Sequence, residues 1–203
     1  MPLPFIVTPA LILAAVLIAS GVAKLRMPDD EAGWEELGVP AALRKPWLMR
    51  LHPIAELVLA AALLFLGGIL GVLAAITATV LFAVYFVMIW QAKKRTPDAS
   101  CACFGTRQPI TARTLARNAW LTLLALVLTL GISVTPLFGG VGAWVVTLMS
   151  VLSVGGWVFA LGAVALTMYL VMQPGPALAS ASAAEVPVVA DEDLGDYISV
   201  RIP

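Results

Sequence analysis

Residues 51–92 read LHPIAELVLAAALLFLGGILGVLAAITATVLFAVYFVMIWQA, and this stretch decides the fold. Its only formal charge is Glu56, and the glycine pair Gly67 and Gly68 interrupts it near the middle. Apolar segments on both sides of a glycine-rich break predict two membrane-spanning helices, and the glycines would allow either a tight reversal or a small-residue contact between helices. We expect these spans at about residues 51–66 and 72–90.

The rest of the chain continues this apolar pattern. Hydrophobic residues make up 61% of it and charged residues 12%, a composition of membrane proteins rather than soluble domains. Further spans are predicted at about residues 4–25, 119–135 and 144–172. The first span is expected to remain uncleaved, because no basic residue precedes it as in a signal peptide. The sequence therefore predicts an all-α, polytopic membrane helical bundle.

Two regions are expected along the chain. Residues 1–172 would form one transmembrane domain with five spans. Residues 173–203 change to proline, alanine and serine, followed by the acids Asp191, Glu192 and Asp193. Such a segment buries little apolar surface, so we expect a flexible acidic tail.

The distribution of charge predicts an orientation in the membrane. The formal net charge is +0, which gives no argument for nucleic-acid binding. All basic residues except Arg201 lie at the end of the first span, in the first connection, or between residues 91 and 117. By the positive-inside rule, these connections and the C-terminus are cytoplasmic and the N-terminus is outside. We expect a multi-pass protein of the cell inner (plasma) membrane, with lipid as its surroundings.

Both cysteines of the chain lie in the most basic connection, in Cys101-Ala102-Cys103-Phe104-Gly105. Neighbouring cations lower the pKa of a thiol and favour the reactive thiolate. A disulfide between residues so close closes a small ring and is expected to be easily reduced, which suits exchange rather than a scaffold. The predicted catalytic residues are therefore Cys101 and Cys103, and the small Gly105 would let a partner backbone approach.

Two other interpretations of the cysteines stay open. They could hold a thiophilic metal such as Cu(I) or Zn, although no further cysteine or histidine lies nearby to complete the site. They could also be small buried residues that only fill space. We predict redox exchange, with no bound metal and no cofactor.

The second candidate site is Leu51-His52-Pro53-Ile54-Ala55-Glu56. An ionisable residue within a span is a functional candidate, and His52 and Glu56 are four residues apart and share a helix face. One interpretation is a structural polar clasp in which Glu56 pairs with Lys24 or Arg50. The other is a role in handling protons or contacting a quinone. Lys24 itself, at the end of the first span, is expected to extend to the lipid headgroups.

Three motifs together resemble a known family. They are Ser20-Gly21-Val22-Ala23-Lys24-Leu25-Arg26, Pro53-Ile54-Ala55-Glu56-Leu57, and the cysteine motif. In this order they resemble the methylamine-utilisation MauE family, within the DoxX-like group of small bacterial membrane proteins, over roughly residues 5–135. The family commonly has glycine at the position of Ala102, and the added methyl group excludes backbone conformations that only glycine adopts.

The resemblance implies a DoxX-like four-helix core, to which this chain adds a fifth transmembrane helix and a tail. It also implies a redox-associated membrane protein that works beside a thioredoxin-like partner. Together they would make or maintain disulfides in an exported client, and the namesake case is maturation of methylamine dehydrogenase. A non-enzymatic membrane assembly factor is the alternative, and whether methylamine metabolism is involved stays open.

Overall fold

A computed structural model of the chain describes residues 4–28, 31–95, 100–101, 108–134 and 154–172. Within these ranges the chain forms six α-helices, one 3₁₀ turn at Ala41–Leu43 and one pair of two-residue strands. The elements are α1 Pro4–Arg26, α2 Glu31–Glu36, α3 Pro46–Phe65, α4 Gly68–Arg95, β1 Ser100–Cys101, β2 Gln108–Pro109, α5 Ala112–Val134 and α6 Val154–Met172.

The predicted all-α membrane bundle is confirmed. Five helices, α1 and α3 to α6, are long and apolar enough to cross a membrane. Large apolar side chains remain exposed on their outer surfaces, and Ile69 is 78% exposed. An exposed apolar surface of this extent fits contact with lipid. The protein is therefore a multi-pass membrane protein.

The structure has a tight reversal at the glycine pair that the sequence indicated. α3 ends at Phe65 and α4 begins at Gly68. Gly68 has a φ of +59°, a left-handed conformation that residues with a Cβ rarely adopt. Only Leu66 and Gly67 therefore separate the two helices, which consequently run in opposite directions.

Three helices extend beyond the apolar segments expected from the sequence. α3 begins at Pro46 rather than near residue 51, because proline at the first helical position has a suitable φ and needs no N–H partner. α4 continues to Arg95, and α5 begins at Ala112. Hydropathy marks the segment inside the lipid, whereas a helix with basic residues can continue into the headgroup region. For the fifth span, α6 covers residues 154–172, and residues 144–153 lie outside the described part.

The bundle is arranged around α1. This helix packs against α3, α5 and α6, while α4 packs chiefly against α5. Leu13, Leu17 and Leu124 are fully buried in the apolar core between them. Lys24 in the last turn of α1 consequently lies near α3, and the start of α3 and the end of α4 lie at the same end of the bundle.

The first connection contains one short helical segment on either side of Gly38. α2 precedes the turn and Ala41–Leu43 follows it. Gly38 has a φ of +81°, and the Arg95 guanidinium lies where a Cβ at this position would be. The end of α4 therefore contacts the turn after α2.

Candidate functional site

Four polar side chains from three spans meet inside the bundle, around one oxygen of Glu56. Lys24 of α1 donates to Oε1 of Glu56 at 2.6 Å, and the Tyr85 hydroxyl of α4 donates to the same oxygen at 2.5 Å. Nε2 of His52 lies 3.3 Å from this oxygen and 3.2 Å from Nζ of Lys24. We call Lys24, His52, Glu56 and Tyr85 the polar cluster.

The polar cluster is connected to the short helix α2. The Tyr85 hydroxyl and Nε2 of His52 are within hydrogen-bond distance of each other. The rings of Trp34 and His52 meet edge to face, with centroids 5.8 Å apart and an angle of 88°. Because Trp34 belongs to α2, this helix contacts the cluster directly.

Lys24 does not extend to the headgroups, so that expectation was wrong. Its side chain is 6% exposed, and that of Glu56 is 1% exposed. Gly21 allows this arrangement, since a Cβ there would lie 3.0 Å from the Pro53 carbonyl oxygen and from Cγ of Leu57. The missing side chain lets α1 and α3 approach closely, and a buried carboxylate then makes an inward ion pair more favourable than an exposed ammonium.

The geometry agrees with part of the sequence reasoning about this site. His52 and Glu56 do share one face of α3, and Lys24 rather than Arg50 is the ion-pair partner of Glu56. The sequence reasoning missed Tyr85. Its signal was a hydroxyl inside an otherwise apolar span, where a buried Tyr O–H needs a hydrogen-bond partner. The clasp between helices and the role in handling protons or contacting a quinone both stay predictions.

A cavity of about 510 Å³ adjoins the polar cluster. All four cluster residues line it, together with Trp34 of α2 and with Arg117 and Asn118 of α5. Most other lining residues are apolar, such as Leu17, Leu81 and Ile89. A largely apolar cavity with a few convergent polar groups is the usual form of a small-molecule site, and this volume lies in the usual range of about 300–1,000 Å³.

The cysteine connection lies at the same end of the bundle as the polar cluster. The backbone of Cys101 pairs with Gln108 in the antiparallel strands β1 and β2, which hold together the two sides of the loop between them. β1 packs against α2, the helix that also lines the cavity. Nζ of Lys93 donates to the Ile110 carbonyl oxygen at 3.1 Å, which ties the end of α4 to the chain before α5.

The structure does not describe two of the predicted site residues. Cys103 and Gly105 lie outside the described residues, and for Cys101 only the backbone is described. The structure thus brings together Lys24, His52 and Glu56, while the role assigned to the cysteine motif stays a prediction.

The comparison with protein families matches residues 3–131 to the family described as methylamine utilisation protein MauE. This segment contains the whole polar cluster, both cysteines and most of α5. Comparisons with curated proteins and with solved structures gave no match. Since the matched segment is more than half of the chain, the protein belongs to the MauE family.

Proposed function

We propose that the protein is a membrane thiol–disulfide exchange component. Cys101 and Cys103 exchange with a thioredoxin-like partner through a mixed disulfide, and the partner passes the disulfide on to an exported client. In this scheme a thiolate of one protein attacks a disulfide sulfur of the other, and a second thiol of either protein resolves the intermediate.

One observation carries this proposal: Cys101 lies in β1, at the start of a connection that follows the cationic end of α4 in the chain. Lys93, Lys94 and Arg95 lie in the last turn of that helix, five to seven residues before Ser100. Cations near a thiol favour its thiolate form, which is the form that attacks disulfides. The family match supports a membrane protein of this type but does not by itself assign the exchange.

The polar cluster would position the helices that carry the cysteine connection. Tyr85 belongs to α4, which leads into β1, and its hydroxyl binds Glu56 of α3. Lys24 adds α1 to the same contact. We propose that the cluster fixes the end of α4 relative to α1 and α3, and therefore the position from which the cysteine connection starts.

Trapping of a mixed disulfide tests the proposal. The oxidised protein in lipid nanodiscs would be mixed with a thioredoxin whose resolving cysteine is replaced by serine. We expect a covalent adduct on a non-reducing gel. It should be absent with Cys101→Ser/Cys103→Ser, or when the attacking cysteine of thioredoxin is replaced. Failure of the wild-type protein to form the adduct would contradict the exchange.

The same samples distinguish the two alternatives. An assembly factor with incidental cysteines predicts no adduct and normal function of the double variant in cells. A metal handler predicts metal that co-purifies with the protein and is lost when either cysteine is replaced. Among the residues that the structure describes, no group of three or more His, Cys, Asp or Glu side chains could hold a metal ion.

We also propose that the cysteine connection faces the cytoplasm, because eleven of the twelve basic residues belong in sequence to the first connection, the cysteine connection or the helix ends beside them. A membrane-impermeant maleimide should then leave Cys101 and Cys103 unlabelled in intact cells and label them after permeabilisation. With the dithiol on the cytoplasmic side, the exported client is reached only through a relay across the membrane. Labelling in intact cells would mean the inverted orientation, in which the dithiol could meet the partner of an exported client directly.

A further inference from the structure

The cavity beside the polar cluster has the features of a site for a lipid-soluble ligand. Leu51 of α3 and Val84 of α4 line it and are 48% and 47% exposed. Both belong to helices that are long and apolar enough to span a membrane, so a route from the bilayer into the cavity can pass beside these two residues. A ligand dissolved in the membrane could enter it without passing through water.

The polar part of the cavity needs a ligand that both donates and accepts hydrogen bonds. Glu56 lines the cavity, and within the described residues its buried Oε2 has no hydrogen-bond partner. A buried carboxylate oxygen without a donor is unfavourable, so a hydroxyl in the ligand would be stabilising there. Arg117 lines the same cavity, and its guanidinium, which has five N–H donors, suits an acceptor oxygen.

The cavity and the start of the cysteine connection share one neighbouring element, α2. Trp34 and Gly33 of α2 line the cavity, and α2 packs against β1, which contains Cys101. One short helix thus contacts both places. A ligand in this cavity would contact α2, the helix against which the start of the cysteine connection packs.

We propose that this cavity binds a quinone with its ring at the polar cluster and its apolar tail between α3 and α4. Resting on the proposed function, the inference is that the quinone is the two-electron acceptor for the dithiol. A quinone carbonyl accepts a hydrogen bond from Arg117, and the hydroquinone hydroxyl both accepts one and donates to Oε2 of Glu56. Both redox forms therefore find partners in the same cavity.

The reaction balances without a further co-reactant. Two S–H bonds of Cys101 and Cys103 break and one S–S bond forms. The two electrons and two protons pass to the two carbonyl oxygens of the quinone, which leaves as hydroquinone. The polar cluster supplies the proton at the quinone oxygen beside it and is restored by one of the two thiol protons, while the other thiol proton passes to the second quinone oxygen. The new disulfide is then available to the thioredoxin-like partner.

Cavity filling tests the proposal, with decylubiquinone as the probe and the full protein in nanodiscs. Ala55 and Ala61 are both exposed alanines of α3, but only Ala55 lines the cavity. Ala55→Phe should weaken decylubiquinone binding by at least about tenfold, because a benzyl group occupies the space of the ring. Ala61→Phe should stay within about twofold of wild type, as expected for a lipid-facing position.

The second measurement is anaerobic oxidation of the reduced dithiol by decylubiquinone, followed as hydroquinone formed. Wild type and Ala61→Phe should form it, and Ala55→Phe should not, although Ala55→Phe should still form the adduct with thioredoxin. Equal binding by Ala55→Phe and Ala61→Phe overturns the proposal. The absence of saturable decylubiquinone binding to wild type, as expected if phospholipid fills the cavity, also overturns it. Saturable binding without a thioredoxin adduct would instead contradict the proposed function and leave the quinone site standing.

Discussion

Replacing either cysteine by serine is expected to abolish disulfide formation in the exported client. Thiol–disulfide exchange needs one thiol to attack and a second to close the disulfide, and serine can do neither under these conditions. Cys101→Ser and Cys103→Ser should therefore have the same severe effect, although each keeps one thiol. The measurement is the thiol content of exported proteins in cells that carry only the variant, determined by alkylation and mass spectrometry.

Ser100→Ala is the matched control for these variants. Ser100 precedes Cys101 in β1, and its backbone pairs with Pro109. Removing its hydroxyl leaves both thiols in place, so client disulfides should form as in wild type. All three variants should be present in the membrane fraction in equal amounts. Wild-type client oxidation in both cysteine variants would refute the exchange mechanism and favour an assembly role.

Replacing Lys24 by methionine is expected to destabilise the bundle strongly. Glu56 is 1% exposed, and Lys24 is its ion-pair partner at 2.6 Å. Removing one partner of a buried ion pair leaves an uncompensated charge and typically costs about 3–5 kcal/mol of unfolding free energy. Methionine fills a similar volume, so the loss reports charge rather than packing. Unfolding in detergent micelles, followed by tryptophan fluorescence, measures it.

A double-mutant cycle separates the ion pair from other effects of the substitution. Glu56→Gln alone should also destabilise, whereas Lys24→Met/Glu56→Gln should lose clearly less than the sum of the two single changes. Arg26→Ala is the control, because Arg26 is an exposed basic residue two positions after Lys24. If Lys24→Met were as stable as Arg26→Ala, the pair would not hold α1 to α3.

The fold could largely be predicted from the sequence, and particular residues show why. A bilayer demands long apolar helices, so charge-free segments identify them directly. Gly67 and Gly68 identified the reversal, since few other residues permit so short a connection between two helices. The starts of α3 and α5 and the C-terminal end of α4 were predicted too far inside the apolar segments. A helix can continue beyond the apolar core of the bilayer, as it does at Pro46, Arg113 and Lys93.

The site was predicted only in part. Glu56 was evident as the acid within a span, because burying a carboxylate in lipid requires a reason. Tyr85 was not evident, since tyrosine is also common at membrane interfaces for its amphipathic ring. The inward direction of Lys24 depended on the close approach of α1 and α3 at Gly21, and the cavity depends on how α2 and four spans pack together. Neither property produces a recognisable pattern in the spacing of residues along the sequence.

The six-residue helix α2 makes the cysteine connection and the cavity thermodynamically dependent on each other. It packs on β1 and places Trp34 against His52. A helix this short has little stability of its own, so its order is supplied by what it contacts. A ligand in the cavity that orders α2 lowers the entropy cost of packing β1 against this helix. Conversely, packing of β1 lowers the entropy cost of binding the ligand, because such coupling is reciprocal. We therefore expect a ligand in the cavity to slow hydrogen exchange in α2 and in β1 alike; unchanged exchange in β1 would show that the two sites are independent.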